Sequence, residues 1–476
     1  MKKVVYYSLM AALAVTPLFS QAQSLESAYF VEDYQYRHLL NPAFDNNGGY
    51  FSFPLLGNYN LEINGDFGLG DLIFDNPQYG NGSDKRYTTF MNPYLDPSVA
   101  LSGFKKGANH LLTDMSFPVL SFGFRTGESY HTFDVSSKTQ FGMSAPYDLF
   151  ELAINTSNRN YVIDNMGAQV QSRIDIAYGY SRKINDQFRI GAKVKAIIGL
   201  ARADIKMENL QFDLSSTEQW IMRGRAVADL AVKGLSLVSN SKENASQTNY
   251  YNYVCGVEMD MPGIGGIGYG LDLGMVYDVT ENFTVSAALT DLGSIIWKNN
   301  VQAATPDEEY IFDGFHNVDI IGDSGNTFTN QTASFMDQLK DFAHLEDQGN
   351  QGTRTTPLGC NLNLGIEYKL PVYNQLSFGL LSTSHFDGAY SWNVERISAN
   401  WFPNKWLDGG VNLSFGSFGI NMGYIINLHP QGFNIFIGTD HLLGTYTKEG
   451  IPLGRGVSVN CGFNVTFGKS KKANDA

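Results

Sequence analysis

Charged side chains recur at alternate positions in segments that are otherwise apolar. Arg173 and Asp175 are spaced in this way, and so are Lys193 and Lys195, which share their row with Arg189. Alternate residues of an extended chain point to the same side, so each row marks one face of a strand. A dry core would leave these charges unsolvated, whereas a water-filled lumen solvates or pairs them. The candidate lumen-lining residues chosen on this basis are Arg173, Asp175, Arg189, Lys193, Lys195, Asp272, Asp278 and Glu367.

No motif in the sequence predicts catalysis. Gly263 to Gly268 matches a dinucleotide-binding pattern by letter, yet it opens a strand rather than a helix, and 49 glycines make such matches frequent. HExxH, CxxC, GxSxG and Walker-type patterns do not occur. A barrel-embedded hydrolase using His131 with Ser136 or Ser137 would need a triad geometry that this spacing does not supply. The sequence therefore predicts a protein that is not an enzyme and that has no cofactor, catalytic or metal-binding residues.

The segments that carry the charged rows read as amphipathic hairpins. From Tyr269 to Gly293 the chain alternates apolar with small or polar residues, turns at residues 280–282, and alternates again. The pattern alone suits a soluble sheet as well as a membrane barrel, because the two differ in which face is wet. Arg189, Lys193 and Lys195 on the polar face favour a wet lumen, so lipid is expected at the apolar face. Aromatic girdles are expected at Tyr269, Tyr277, Trp392, Trp401 and Trp406.

Short and long connections alternate along the chain. Long connectors span roughly 70–110, 142–168, 202–267, 294–357 and 442–455, with shorter ones near 385–388 and 416. Six short turns lie around residues 126–128, 185–186, 280–282, 372–374, 403–405 and 429–431. This rhythm is typical of outer-membrane barrels, in which short periplasmic turns oppose longer surface loops. It predicts an all-β fold, a transmembrane antiparallel β-barrel of about 14 strands with long extracellular loops, over residues 50–468.

Two of the long connectors contain short amphipathic stretches. Ser144–Thr156 predicts a helix that begins near Pro146 and is capped by Ser144. Ser334–Glu346 likewise gathers apolar residues along one helical face. Both helices are expected to cover the loops at the rim of the barrel.

The N-terminus reads as an export signal. Lys2 and Lys3 precede an apolar run, Val4–Phe19, that ends at a small-residue cleavage site before Gln23. This predicts a signal peptide at residues 1–22, and no later segment offers the roughly 18 apolar residues of a membrane helix. The protein is therefore expected in the outer membrane of a Gram-negative bacterium. Both ends of the mature chain, including a polar C-terminal tail at 469–476, are expected in the periplasm.

Composition agrees with a membrane barrel. Aromatic residues make up 13% of the chain, which suits strands and interfacial rings, while charged residues make up 17%, few for a soluble protein of this size. The formal net charge of −14 makes nucleic acid an improbable partner. Outer-membrane lipid is the expected partner, at the apolar face of the strands. A secreted β-sandwich protein of several domains is the alternative. The lack of a Pro- or Ser-rich linker and the uneven turn spacing disfavour it.

The segment before the first predicted strand, residues 23–49, contains RHLLNPAFDN. Asn41, Pro42, Ala43 and Phe44 predict a turn, because proline fixes its own φ and asparagine tolerates the bend before it. This turn either leads into the first strand or belongs to a hatch folded into the lumen. A barrel of about 8 strands is filled by its own side chains and one of 16–18 leaves a channel, so an intermediate barrel needs something to occupy or gate its lumen.

Three stretches carry a family resemblance: the leucine-rich lead into Asn41–Phe44, and the strand pairs at Tyr178–Gly199 and Tyr277–Gly293. With these the chain resembles an uncharacterised outer-membrane β-barrel family common in Bacteroidetes, a domain of unknown function. It is more distantly similar to the PorP/SprF-type barrels of type IX secretion and to FadL/PorV-type barrels. The resemblance implies a barrel of about 14 strands. By the FadL analogy it also implies an N-terminal hatch and passage of an apolar small molecule.

Two functions remain open at this point. The polar lumen favours a channel or transporter for a small or hydrophobic molecule. The long loops at 202–267 and 294–357 favour a non-catalytic anchoring barrel, or an accessory barrel of type IX secretion or gliding, that docks a surface or periplasmic protein.

Overall fold

A computed structural model describes residues 25–54, 56–81, 83, 85–155, 159–215, 219–239, 253–260, 263–306, 309–312, 344–442 and 454–468. The predicted signal peptide and C-terminal tail lie outside these residues, as does most of the predicted helix at Ser334–Glu346. No helix among the described residues is long and apolar enough to cross a membrane.

The described residues form strands almost throughout. The first half of the chain contains β1 (Gly49–Ser52), β2 (Tyr59–Gly65), β3 (Ile73–Asp75), β4 (Tyr87–Thr89), β5 (Ala108–Thr126), β6 (Ser129–Pro146), β7 (Asn160–Ile163), β8 (Gly167–Lys183), β9 (Phe188–Asp213), β10 (Trp220–Val232), β11 (Leu235–Ser239) and β12 (Val254–Met259). The second half contains β13 (Gly266–Thr280), β14 (Phe283–Trp297), β15 (Val301–Ala304), β16 (Glu309–Phe312), β17 (Glu346–Asn350), β18 (Arg354–Pro357), β19 (Cys360–Lys369), β20 (Leu376–Phe386), β21 (Trp392–Asn404), β22 (Leu407–Gly416), β23 (Gly419–Leu428), β24 (Phe433–Thr439) and β25 (Gly456–Phe467).

The long strands close into one antiparallel ring. β1 and β2 both pair with β5 on one side and β25 on the other, so together they form a single interrupted strand that closes the sheet. β10 and β13 form a second interrupted strand, since they pair with the two ends of the same long strand, β9. From β5 the ring continues through β6, β8 and β9 to the strand formed by β10 and β13. It then continues through β14 and through β19, β20, β21, β22, β23 and β24 to β25. The barrel thus has fourteen strands, which confirms the predicted fold class.

Connections at the two rims differ in length, as predicted. Each of the six predicted short turns joins two neighbouring antiparallel strands, and all six lie at the rim where β1 begins and β25 ends. We call this the short-turn rim, and the opposite one the long-loop rim. Both ends of the barrel lie at the short-turn rim because an even number of strands returns the chain to its starting side.

Outward and inward faces of the barrel differ in polarity. On β9, Val194 is 57% exposed, while its neighbours Lys193 and Lys195 are 1% and 9% exposed. Large apolar side chains exposed on every second residue form the belt that lipid covers in a membrane barrel. Trp401 and Trp406 lie on the outer surface, as a girdle requires. The girdle prediction for Trp392 is wrong, because this residue faces inward and stacks on His385 with ring centroids 5.4 Å apart.

In the described parts of the long connectors there are two short α-helices: α1 (Pro97–Ala100) and α2 (Tyr147–Ile154). The helix predicted near Pro146 is present as α2, but its predicted cap is wrong. Ser144 still belongs to β6 and pairs with Gly167, because strand pairing continues up to Pro146. Phe150 of α2 stacks on Phe104, with centroids 3.8 Å apart, in an apolar cluster of the loop region.

Candidate functional site: the lumen and the N-terminal segment

Residues 25–48, here called the N-terminal segment, lie inside the ring. The segment is compact, with single 3-10 turns at Glu26–Ala28 and Arg37–Leu39. Its hydrogen bonds reach inward side chains on β22, β14 and β25: Ser27 with Asn412 (2.6 Å), Tyr29 with Ser286 (3.0 Å) and Tyr36 with Asn464 (2.6 Å). Contacts with strands on different sides of the ring place the segment across the lumen.

The turn predicted at Asn41–Phe44 sits directly against the wall. Asn41 is fully buried, and its side-chain Oδ1 accepts a hydrogen bond from the Ala43 amide at 2.9 Å, which closes the turn. The wall makes room for this turn with glycines. A Cβ placed on Gly191 would lie 2.1 Å from the Pro42 carbonyl oxygen, and one on Gly274 would lie 2.1 Å from Asn41 Oδ1. Inward glycines therefore form the seat of the turn.

An apolar cluster fastens the start of the segment. Leu25, Val31, Tyr34 and Tyr36 are buried together, and Tyr34 packs edge-on against Phe436 of β24 with centroids 4.9 Å apart. Ion pairs also join the N-terminal segment to the barrel wall: Glu26 with Arg396, Glu32 with Lys369, and Asp45 with both Arg125 and Arg189. The segment is thus held by contacts with the wall along its whole length.

The wall from β5 to β14 is here called the charged half. Among the described residues it buries only one asparagine, Asn109. It buries ten Asp, Lys and Arg side chains: Asp134, Arg173, Asp175, Lys193, Lys195, Arg202, Asp204, Asp229, Asp272 and Asp291. Six charged side chains of this half form one network: Lys138 with Asp175 (3.2 Å) and Asp291 (3.3 Å), Arg173 with Asp175 (3.1 Å), and Lys195 with Asp272 (2.7 Å) and Asp291 (2.6 Å). Three cations face three carboxylates, so the network is neutral, which is the condition for burying charges.

Two members of this network were missed by sequence reasoning. Lys138 continues the alternate row of Asp134 and Ser136, so the period-2 signal was present for it. Asp291 falls outside the alternation, because Thr290 beside it is also buried. A bulge between Leu271 and Leu273 shifts the register, and Asp291 has a φ of +59°, a conformation that aspartate tolerates better than most residues. Its amide donates to Asp272 at 2.8 Å, which fixes the bulge.

The wall from β19 to β25, here called the amide half, has the opposite composition. Its described strands bury three charged side chains, Glu367, Arg396 and Asp408, and a fourth, Asp440, directly follows β24. The same strands bury nine asparagines: Asn361, Asn363, Asn400, Asn412, Asn421, Asn427, Asn434, Asn460 and Asn464. Some of the amides form a chain across neighbouring strands: Asn464 donates to Asn434 (3.2 Å), Asn434 to Asn427 (2.6 Å) and Asn427 to Asp408 (2.7 Å). Asparagine at inward positions of the last strands was the available sequence signal for this half.

The larger cavities between the described residues include three that follow one another along the lumen, each with about 780 to 850 Å³ of space between atoms, part of it open to solvent. Below the N-terminal segment, toward the short-turn rim, the lower cavity is lined by Arg37, Asp45, Arg189, Asp278, Glu367 and Lys369. The central cavity is lined by Tyr36, Leu39, Leu40, Asp134, Lys193 and Lys195. The upper cavity is lined by Gln140, Gln169, Arg202, Asp204, Arg354 and Asp387.

Seven of the eight lumen residues proposed from the sequence line these cavities. Arg189, Asp278 and Glu367 line the lower cavity. Asp175, Lys193, Lys195 and Asp272 line the central one. Arg173 is 1% exposed and held within the ion network.

The fold is thus a closed antiparallel barrel of the outer-membrane type, with an apolar belt outside and a polar lumen inside. The family of unknown function DUF5723 matches residues 42–440, and the chain belongs to this family. No curated protein matches the sequence.

Several solved membrane barrels are similar to this chain at low sequence identity. The toluene transporter TbuX of Ralstonia pickettii is 10% identical with a TM-score of 0.41, over 94% of this chain and 95% of that one. The toluene transporter TodX of P. putida is 11% identical with a TM-score of 0.38, over 94% of each chain. A Pseudomonas aeruginosa FadL homologue is 10% identical with a TM-score of 0.35, over 89% and 90%. Similarity to PorP/SprF- and PorV-type barrels, and an origin in Bacteroidetes, stay predictions.

Proposed function

We propose that this protein is an outer-membrane channel or transporter that passes a small hydrophobic or amphipathic molecule, and that residues 25–48 act as its hatch. The observation that carries the proposal is that a folded segment, rather than the side chains of the wall, fills the middle of a fourteen-stranded ring. A ring of fourteen strands is wider than the eight-stranded barrels that side chains alone fill. A segment held by non-covalent contacts can leave its seat and open a path between the cavities.

The orientation follows from the two rims. Bacterial barrels carry short turns in the periplasm and longer loops outside, so the proposal places the short-turn rim in the periplasm. The hatch then enters the lumen from the periplasmic side. The upper cavity, with its arginines and glutamines, faces the exterior and is the first to meet a solute.

The lining of the central cavity supports a solute with an apolar body. Leu39 and Leu40 of the hatch face Asp134, Lys193 and Lys195 of the wall across this space. A molecule there meets an apolar surface on one side and charge-paired groups on the other, the mixture that fixes small ligands in protein pockets. TbuX and TodX, described as toluene transporters, supply the class of solute to test first.

Deleting the hatch tests the proposal. Removal of residues 25–46 should raise the conductance of purified protein in planar bilayers by at least about tenfold, because the ring alone leaves an open lumen. In proteoliposomes, the intact protein should take up toluene faster than sucrose, and the deletion should abolish this preference. A deletion that leaves conductance unchanged, or an intact protein that takes up neither solute, contradicts the proposal.

A single substitution separates seating of the hatch from folding of the wall. Gly191→Ala places a methyl group 2.1 Å from the Pro42 carbonyl oxygen and should loosen the hatch, increasing the frequency of channel opening. Gly107→Ala is the matched control, because its Cβ would meet nothing within 4 Å. Equal opening frequencies in the two variants would show that the Pro42 seat does not gate the lumen.

A further inference from the structure

Three side chains capable of binding a metal meet where the hatch touches the short-turn rim. Asp33 belongs to the hatch, Asp408 to β22, and His429 to the short turn after β23. Each offers one ligand atom, and these atoms all lie within 4.8 Å of one another. The sequence separates Asp33 from the other two by most of the chain, so only the folded barrel brings the three together.

Burial and charge make this cluster different from a solvated acidic patch. The side chains of Asp408 and His429 are 2% and 3% exposed, and that of Asp33 is 29% exposed. Within the described part of the chain, the ion pairs of Asp33 and Asp408 are made with His429 and with no lysine or arginine. The buried Asp408 and the partly exposed Asp33 bring two carboxylates to one imidazole, and a divalent cation at this position would balance their negative charge.

Asp408 provides a second, independent indication of a ligand. Its Oδ1 accepts a hydrogen bond from Asn427 at 2.7 Å, which orients the carboxylate as an outer-shell partner of a metal ligand does. Its Oδ2 is buried and has no hydrogen-bond partner among the described residues. A buried carboxylate oxygen costs free energy unless a donor or a cation occupies the site.

The distances suit shared coordination better than hydrogen bonding. His429 Nε2 lies 3.5 Å from Asp408, and Nδ1 lies 3.7 Å from Asp33, both beyond the usual 2.7–3.2 Å of a hydrogen bond. Two ligands about 2.0–2.2 Å from a tetrahedral ion are about 3.3–3.6 Å apart. An imidazole binds one metal ion through only one of its two nitrogens, so one carboxylate must move to reach the ion. Asp33 is the most exposed of the three residues and belongs to a loop, so we expect Asp33 to move.

We propose that Asp33, Asp408 and one ring nitrogen of His429 bind a divalent transition-metal ion, with zinc as the best match, and that the ion cross-links the hatch to the barrel wall. A mixed set of one imidazole and two carboxylates is typical of zinc and its first-row neighbours rather than of calcium or magnesium. The exposed side of Asp33 leaves a coordination position for water. Metal binding at this site does not depend on what the lumen transports, so this proposal can be tested separately from the proposed function.

The test uses untagged mature protein in detergent, stripped with EDTA and titrated with zinc chloride alone. Isothermal titration should detect one saturable zinc ion per chain. Asp33→Asn and His429→Gln should each weaken zinc binding at least about tenfold, since loss of even an outer-shell partner costs 10–100-fold. Asp186→Asn is the matched control, because this acid of another short turn is fully exposed, and it should bind zinc as the wild type does.

A measurement on the wild type keeps the test independent of variant folding. X-ray absorption at the zinc edge of the loaded protein should show a shell of nitrogen and oxygen ligands that includes one imidazole. The proposal is overturned if the wild type binds no saturable zinc. It is equally overturned if the absorption spectrum shows no imidazole, or if both ligand variants bind zinc as tightly as the control.

Discussion

The two halves of the lumen wall bury polar side chains by different chemistry. The charged half, β5 to β14, balances cations against carboxylates across strands, as Lys195 does between Asp272 and Asp291. The amide half, β19 to β25, links neutral asparagines in a chain from Asn464 to Asn427. A buried amide needs only a hydrogen-bond partner, whereas a buried charge needs a counter-charge as well. Loss of one member should therefore cost more in the charged half.

The hatch contacts both halves through hydrogen bonds and ion pairs, with Glu26 and Glu32 paired in the amide half and Asp45 in the charged half. On the amide side, Ser27 and Tyr36 make neutral hydrogen bonds with Asn412 and Asn464. On the charged side, His38 faces Asp134, which is paired with Lys193 at 2.9 Å. We expect pH to act on the hatch through His38, whose neighbour Asp134 belongs to the charged half.

The largest effect is expected at the centre of the ion network. Asp291→Ala leaves Lys138, Lys195 and Arg173 facing two carboxylates, so one buried cation loses its counter-charge. Breaking a buried pair in this way costs about 3–5 kcal/mol of the free energy of unfolding. Denaturant unfolding in detergent micelles measures this loss.

Two further variants sharpen that result. Adding Lys138→Met to Asp291→Ala restores neutrality and should recover part of the lost stability, because an apolar replacement of a whole pair is often tolerated. Asp186→Ala removes a fully exposed partner of Lys183 and should leave stability nearly unchanged. If Asp291→Ala costs as little as Asp186→Ala, the network does not stabilise the barrel.

The sequence predicted which face of a strand a side chain lies on better than it predicted which residue that side chain pairs with. The alternation at Arg189, Lys193 and Lys195 was enough to place these residues on one face, because a strand has a strict period of two. It could not predict that Lys195 meets Asp291, since a bulge turns Asp291 inward out of phase. The cap prediction at Ser144 failed for a similar reason, because pairing with Gly167 outweighs local capping preference.

The contact between the hatch and the glycines of the wall could not be predicted from sequence patterns. Asn41 and Gly274 are in close contact although they lie far apart in the chain, and nothing in either segment specifies the other. Inward glycines such as Gly191 and Gly274 signalled that something approaches the wall closely. They did not indicate which segment does so.

In the amide half, a smaller loss is expected when the chain of asparagines is cut. Asn434→Ala leaves the side chains of Asn427 and Asn464 each without one hydrogen-bond partner. Leaving buried polar groups unsatisfied costs about 1–3 kcal/mol, measured by the same denaturant unfolding. Asn81→Ala, in an exposed connector, is the control and should leave stability unchanged. A loss as large as that of Asp291→Ala would remove the distinction between the halves.

The smallest effect is expected from pH acting on the hatch. Burial lowers the pKa of His38, and the nearby Lys193 ammonium lowers it further, so the seated ring is neutral. Its Nδ1 then donates to the Gln35 carbonyl at 3.1 Å, and Nε2 accepts from the Tyr50 hydroxyl at 3.4 Å. A displaced His38 regains its ordinary pKa of about 6.5 and binds a proton that the seated ring does not. Seating is therefore fully favourable above this pKa and weakens as pH falls below it.

Proteolysis of the hatch measures this dependence in the intact protein. Cleavage within residues 25–48 should be faster at pH 5.5 than at pH 7.5, under conditions in which the protease itself is equally active. His38→Gln keeps a hydrogen-bonding side chain that does not titrate, so it should remove the difference. His131→Gln, on the outer face near the short-turn rim, should preserve it. If His38→Gln retains the full pH dependence, the titrating contact lies elsewhere, and His38 does not couple the hatch to the charged half.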